Sequence, residues 1–587
     1  MRRFIVNLLA VIGGLTVLGA IVIGIIFLIA VALRPGVPPK TILEVNFETQ
    51  LVEYVPDDPV AAVIMAKQPT LRDLIDALDR AAGDDRVVGL VARIGAPTLG
   101  MAQVQEIRDA ILRFRSKNKF AIAFSETFGE VGPGSSSYYL ATAFEQIWLQ
   151  PSGDIGLTGV IAESPFIRGT LDKLGIVPKM DHRYEYKNAM NFFTEKKFTP
   201  PHREATEKLM SSWYWQMVRG IAQGRKLSED KVRELIDRGP LIGKEALEAG
   251  LVDGMAYRDE IYSKAKERAG EGAQMLYLSK YLERAGRPHQ SGKKVALIYG
   301  VGGVQRGKSG FDPLSGQVTM GSDTVTAAFR AAIEDKDVRA IIFRIDSPGG
   351  SYVASDAIWR EVVRARQSGK PVIATMGDVA GSGGYFVAMA ADRIVAQPGT
   401  ITGSIGVLGG KMLTSGFWDK LGISWDEVHA GANATMWTGI RDYSPAEWAR
   451  FQTWLDRVYE DFTNKVAEGR KLQKEHVLKI AKGRIWSGED AKALGLVDEL
   501  GGLDVAIKLA KQAAGIPEKE DIRLELYPAK KGLLATLLKE EPESGERDAT
   551  AEALVRTLRA IQPAARRLKA ITGARGILEM PPLEIRH

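Results

Sequence analysis

Residues 84–94 read DDRVVGLVARI, and residues 335–345 read DKDVRAIIFRI. Each is an acidic turn that runs into an unbroken apolar segment ending in Arg-Ile, and the two lie 251 residues apart, 84 to 335. The likeness continues outward from there. Residues 138–151 (YYLATAFEQIWLQP) match 385–398 (YFVAMAADRIVAQP) at an offset of 247. DKLGI at 172–176 returns at 419–423 at the same offset, and GLVD at 250–253 returns at 495–498, offset 245. Four matches in one order, at nearly one spacing, mean that the chain carries two copies of one unit of about 230–250 residues.

Within the second copy, short apolar runs at 295–299, 340–345 and 372–376 predict strands. Helical patterns over 324–333 and 353–366, and a helix starting near Ser382, follow them. Continuous apolar strands alternating with helices predict an α/β fold, a parallel sheet covered on both faces, with its active site at the carboxyl ends of the strands. The expected division is an anchor and linker at 1–40, a first copy at 41–290, a second at 291–525 and a tail at 526–587. The tail holds a helix-like run at 551–571 interrupted by Pro563.

The 587 residues are 45% hydrophobic and 26% charged, a globular composition. The net charge of +6 is small for this length and its basic residues are interspersed with acids, so no nucleic-acid partner is expected. The absence of cysteine removes disulfides, thiol nucleophiles and thiolate zinc sites. The six histidines, His182, His202, His289, His429, His476 and His587, form no i, i+3 or i, i+4 pair, so neither a metal nor a cofactor is expected. The exception to the globular pattern is residues 4–33, which follow Arg2 and Arg3 without a formal charge. About 20 apolar residues span a bilayer as a helix, and a signal-peptide core is only about 7–15 long. A retained transmembrane helix with its N-terminus in the cytoplasm is therefore expected. Residues 30–32 also resemble a cleavage site.

Two loops of the second copy carry candidate chemistry. Asp346-Ser347-Pro348-Gly349-Gly350-Ser351 ends one predicted strand, and Gly381-Ser382-Gly383-Gly384-Tyr385 ends the next. A serine at a helix start, ringed by small residues, reads as a nucleophile, with the Gly350 and Gly383 amides as oxyanion hole. One such donor stabilises a transition state by about 3–4 kcal/mol. A serine there is also what an N-cap requires. The first copy has Thr98 and Leu99 in place of the glycine pair, and Ser135 followed by Ser136 and Ser137 in place of Ser382-Gly383-Gly384. Conversely, Lys187 of the first copy corresponds to Ala434 of the second. Complementary loss of this kind is expected if one site is built across both copies, with Lys187 as base for Ser382. A surface lysine is the alternative for Lys187 on its own. A lysine base must be neutral, which from a pKa of about 10.4 needs a fall of about 3 units for work near neutral pH. Tyr186, Met190, Phe192 and Phe193 offer apolar cover, and Lys196 and Lys197 a like-charge push.

Ser-Pro-Gly-Gly-Ser at 347–351, Ser-Gly-Gly-Tyr at 382–385, Thr-Gly-Ser-Ile-Gly at 402–406 and Tyr-Lys-Asn-Ala at 186–189 resemble signal peptide peptidase A in its long, tandem form. The resemblance covers about residues 40–515. It implies two ClpP/crotonase-like domains, Ser382 as nucleophile and Lys187 as general base. It further implies that Ser404 hydrogen-bonds the base, with Gly349 supporting the oxyanion loop. It implies degradation of cleaved signal peptides and other short apolar peptides at the outer, periplasmic face of a bacterial cytoplasmic membrane, by a homotetramer. Three other readings stay open: an α/β-hydrolase esterase using His429 or His476, an acyl-CoA enzyme of crotonase type, and a membrane scaffold that binds peptides without turnover.

Overall fold

The repeated Gly-Leu-Val-Asp segments close the two halves in the same way. Tyr138 donates its hydroxyl to the Leu251 carbonyl (2.7 Å), and Tyr385 donates to Leu496 (2.9 Å). The amide of Ile147 donates to Asp253 and that of Ile394 to Asp498, both at 2.7 Å. Arg225 and Arg470 pair with those same aspartates. The residues that recur in sequence are therefore those that tie the end of each unit back onto its own sheet.

The computed structural model describes residues 36–65, 68–95, 99–528, 578–580 and 584–586, with isolated positions 13–14 and 18–19. The first sheet runs, edge to edge, through Gln274–Tyr277, Thr41–Asn46, Val87–Arg93, Phe120–Ser125, Gln146–Leu149 and Gly254–Met255, all parallel. The second repeats that order with Ile522–Tyr527, Lys293–Val301, Val338–Ser347, Val372–Gly381, Arg393–Ala396 and Glu499–Leu500. The second sheet goes further. Val372–Gly381 also pairs with Ile401–Gly403, which pairs antiparallel with Ile485–Ser487. Helices such as Ser322–Glu334 and Tyr352–Gln367 cover the apolar strands. The chain is thus a mixed α/β fold in two tandem copies.

Among the described residues no helix is long and apolar enough to cross a membrane. The run 4–33, expected as an anchor, lies almost wholly outside the described residues, as do Thr98 and the tail segment 551–571.

The copies are joined by main chain and by buried charge. Val177–Arg183 of the first pairs antiparallel with Val407–Leu413 of the second, from Val177↔Leu413 to Arg183↔Val407. The long helix Pro200–Arg225 packs against the second copy, where Trp213 Nε1 donates to the Gly399 carbonyl (2.9 Å). Arg344 of the second copy reaches Glu53 (2.6 Å) and Glu106 (2.9 Å) of the first, and all three side chains are buried. These contacts fix the register of one copy on the other, which a site shared between them requires.

Candidate active site

Ser382 follows the strand Val372–Gly381 and precedes the helix Gly383–Ala388. It has φ 54° and ψ −113°, held there by its amide donating to the Gly403 carbonyl (2.8 Å). Backbone strain of this kind at a non-glycine residue costs on the order of 1–3 kcal/mol and clusters at functional sites. The helix that follows has only six residues. Any stabilisation of negative charge here therefore comes from first-turn amides rather than from a long helix dipole, a correction to the expectation from sequence.

The loop Gly349–Gly350 lies one strand back and close by. A Cβ on Gly383 would stand 3.0 Å from the Gly350 amide nitrogen and 2.8 Å from Ser355 Oγ, so no larger residue fits between these loops without a shift. Ser347 braces the turn. Its hydroxyl donates to the Gly302 carbonyl (2.7 Å) and accepts from the Gly349 amide (3.2 Å). Two buried carboxyls, Asp346 and Asp378, end the two strands that carry the loops. Burial first, and then the charge of Asp378, holds Asp346 well above the usual carboxylate range. Asp378 accepts from the Gln103 amide of the first copy (3.0 Å), so it also ties the nucleophile strand to that copy.

Lys187 arrives from the other copy. The ribbon Val177–Arg183 delivers the chain to residue 186, whose amide donates to the Lys482 carbonyl (3.1 Å). Lys187 Nζ then lies 2.7 Å from Ser382 Oγ, 3.0 Å from Ser404 Oγ and 3.1 Å from the Ser404 carbonyl. Lys187, Ser382 and Ser404 are all fully buried. Ser404 also has a positive φ, 50°, with its amide donating to the Arg484 carbonyl (2.7 Å). The structure therefore brings together Ser382, Lys187, Ser404, Gly349, Gly350 and Gly383, from strand ends and loops that lie up to 217 residues apart.

Other expectations fare differently. Lys196 is largely exposed and pairs with Asp172 (2.9 Å), and Lys197 is exposed. Their charges are solvated, so the like-charge push expected from them is corrected. His429 is exposed beside Glu427, and His476 Nε2 sits 3.1 Å from the Leu494 carbonyl. The basic group at hydrogen-bond distance from Ser382 is a lysine, which disfavours the esterase reading.

The comparisons with known proteins match this arrangement. The family model of peptidase family S49 matches residues 124–271 and again 364–517. The chain belongs to peptidase family S49. It is similar to the chloroplastic serine protease SPPA of Arabidopsis thaliana, 32% identical over 78% of this chain and 67% of that protein. It is similar also to Protease 4 of Salmonella typhi, 30% identical over 77% of this chain and 73% of its relative. Protease 4 of Haemophilus influenzae is 28% identical over 75% and 72%. The two matched segments are one S49 domain in two copies, the long tandem form, and the chain is a serine peptidase.

One residue that sequence reasoning missed in this S49 peptidase is Gly483. It has φ 82°, and a Cβ there would stand 2.5 Å from both Cα and Cβ of Lys187 and 2.6 Å from its nitrogen. Its amide donates to the Ile405 carbonyl (2.8 Å), beside Ser404. Gly483 is thus a positioning residue: only a bare backbone lets Lys187 lie against this turn. Gly483→Ala is expected to lower kcat about tenfold or more with KM little changed, because a small displacement of a catalytic group is costly. Steady-state kinetics on a fluorogenic peptide checks this, and unchanged kcat would contradict it.

Proposed function

We propose that Ser382 is the nucleophile and Lys187 its general base, and that the enzyme degrades cleaved signal peptides and other short apolar peptides at a membrane. The observation that carries this reading is the 2.7 Å approach of Lys187 Nζ to Ser382 Oγ, both fully buried. Burial disfavours the ammonium form, which is what a lysine base needs. Its printed polar neighbours are two hydroxyls and a carbonyl, none formally charged.

In this mechanism the Ser382 hydroxyl passes its proton to the neutral Lys187 amine while Oγ attacks the scissile carbonyl carbon. The carbonyl oxygen becomes an oxyanion facing the amides of Gly350 and Gly383. Lys187 then returns the proton to the leaving nitrogen as the C–N bond breaks, leaving an ester on Ser382. Water attacks the ester, giving its proton to Lys187, and Ser382 is released. Ser404 holds Nζ in line throughout.

The apolar-substrate reading draws on the resemblance to signal peptide peptidases and on the apolar run at 4–33, long enough to anchor the chain. With the N-terminus in a bacterial cytoplasm, the two copies would face the periplasm. A homotetramer fits the exposed apolar residues Leu421, Ile423, Trp425, Val428 and Trp437 of the second copy, which a single chain leaves in water. The test of substrate class compares hydrolysis of matched peptides by the full chain in detergent. Peptides with Leu, Val or Ala flanking the scissile bond are expected to be cleaved at least about tenfold faster than peptides with Asp or Lys there. Equal rates, or preference for charged residues, would overturn the substrate reading and leave the dyad untouched.

A further inference from the structure

A small third sheet lies beside the dyad. Its order is Gly310–Asp312, Gln317–Gly321, Gly303–Gln305, Gly349–Gly350 and then Leu578–Glu579 from the end of the chain. The last pair is antiparallel, with Gly350 opposite Leu578 and Gly349 opposite Glu579. The Met580 amide donates to the Pro348 carbonyl (3.0 Å). The Met580 side chain is buried, and its sulfur occupies the space over Gly381 that a Cβ there would take. A few residues on, Glu584–Arg586 pairs antiparallel with Ile161–Glu163 of the first copy. The C-terminus is thereby strapped to both copies, across the loop that carries Gly350 and next to the residue preceding Ser382.

An extended peptide reaching Ser382 must align its carbonyl with the amides of Gly350 and Gly383. The backbone edge available to hold it is Gly349–Gly350, because the other side of that strand is already paired with Val304. Strand addition to an exposed edge is how many clefts take peptides: main-chain bonds hold the backbone and pockets take alternate side chains. One edge receives one strand. We infer that the chain's own residues 578–586 are an intramolecular competitor for the substrate cleft, with Met580 as the side chain that seats them, and that they must leave before a peptide can be cleaved. A tethered strand competes at an effective concentration that reaches the millimolar range, so even a weak strand pairing suppresses binding of dilute peptides. The inference rests on the reading of the cleft at Ser382 as the substrate cleft.

The test separates binding from turnover. In the Ser382→Ala background, a fluorescein-labelled peptide with the sequence of residues 576–587 is titrated into the full chain and into a chain ending at residue 577. The shortened chain is expected to bind at least about tenfold more tightly. Met580→Asp in the full chain places a carboxylate in a buried apolar seat, and is expected to release the tail and give the same gain without truncation. With Ser382 intact, both changes are expected to raise kcat/KM for an apolar peptide about tenfold, through KM, and the 576–587 peptide to inhibit the shortened chain competitively. Equal binding by all forms, or no binding by any, would overturn the inference. A tenfold binding difference without hydrolysis by any form would sustain it and overturn the dyad instead.

Discussion

Lys187→Ala is expected to lower kcat/KM for an apolar peptide by about 10²–10⁴-fold, and Ser382→Ala by about 10⁴-fold or more, with the fold retained in both. The expectation follows from position. Lys187 Nζ is the basic group within 2.7 Å of the Ser382 hydroxyl, and it reaches there from the opposite copy. Removing either partner leaves the Gly350 and Gly383 amides in place, so a residue of catalysis from the oxyanion loop remains. The double variant is expected to be no slower than Ser382→Ala alone, because the two act as a unit and their losses do not add. Neither truncation buries a new charge, so circular dichroism and the denaturation midpoint are expected to stay near those of the parent. A Lys187→Ala enzyme with near-normal turnover would place the base elsewhere.

Arg344→Met is expected to destabilise the protein by about 3–5 kcal/mol, the cost of breaking a buried ionic network by removing one partner. Arg344 is buried against Glu53 and Glu106, and Glu106 also accepts from the Leu503 amide (2.7 Å). Burial pushes the Glu106 carboxyl up, and the Arg344 guanidinium is the main force opposing that. Without Arg344 two carboxyls of the first copy face the second with no cation between them. Replacing the network with neutral groups, Arg344→Met with Glu53→Gln and Glu106→Gln, is expected to recover much of the loss, since a buried ion pair contributes little net stability over neutral packing. Chemical denaturation reads both effects. Loss of less than about 1 kcal/mol in Arg344→Met would mean that the network does not hold the copies together.

The duplication was legible because closure of each unit depends on a few residues that cannot vary freely. Asp253 and Asp498 each bond a strand amide, and Tyr138 and Tyr385 each bond the carbonyl two residues before that aspartate. The parallel strands were legible because burial on both faces demands unbroken apolar runs such as the one around Ile341 and Ile342. Lys187 could be picked out only by comparing the copies, since a lone lysine carries no periodic signal. Gly483 and Asp378 could not be read in this way. Their roles lie in what a distant backbone does, one against Lys187 Cα and the other at the Gln103 amide, and a single sequence records neither approach. The strand at Leu578–Glu579 was hidden for a related reason: two residues are too short for a period, and their pairing is set by an edge 228 positions away, at Gly350.

The claim at the centre is that Ser382 is activated by a lysine from the other copy. The most direct measurement is covalent labelling with a fluorophosphonate, mapped by mass spectrometry on the full chain and on Lys187→Ala. The expected result is one adduct, on Ser382, formed at least about a hundredfold more slowly once Lys187 is gone. An adduct on another serine, or labelling of Ser382 at the same rate in Lys187→Ala, would contradict it.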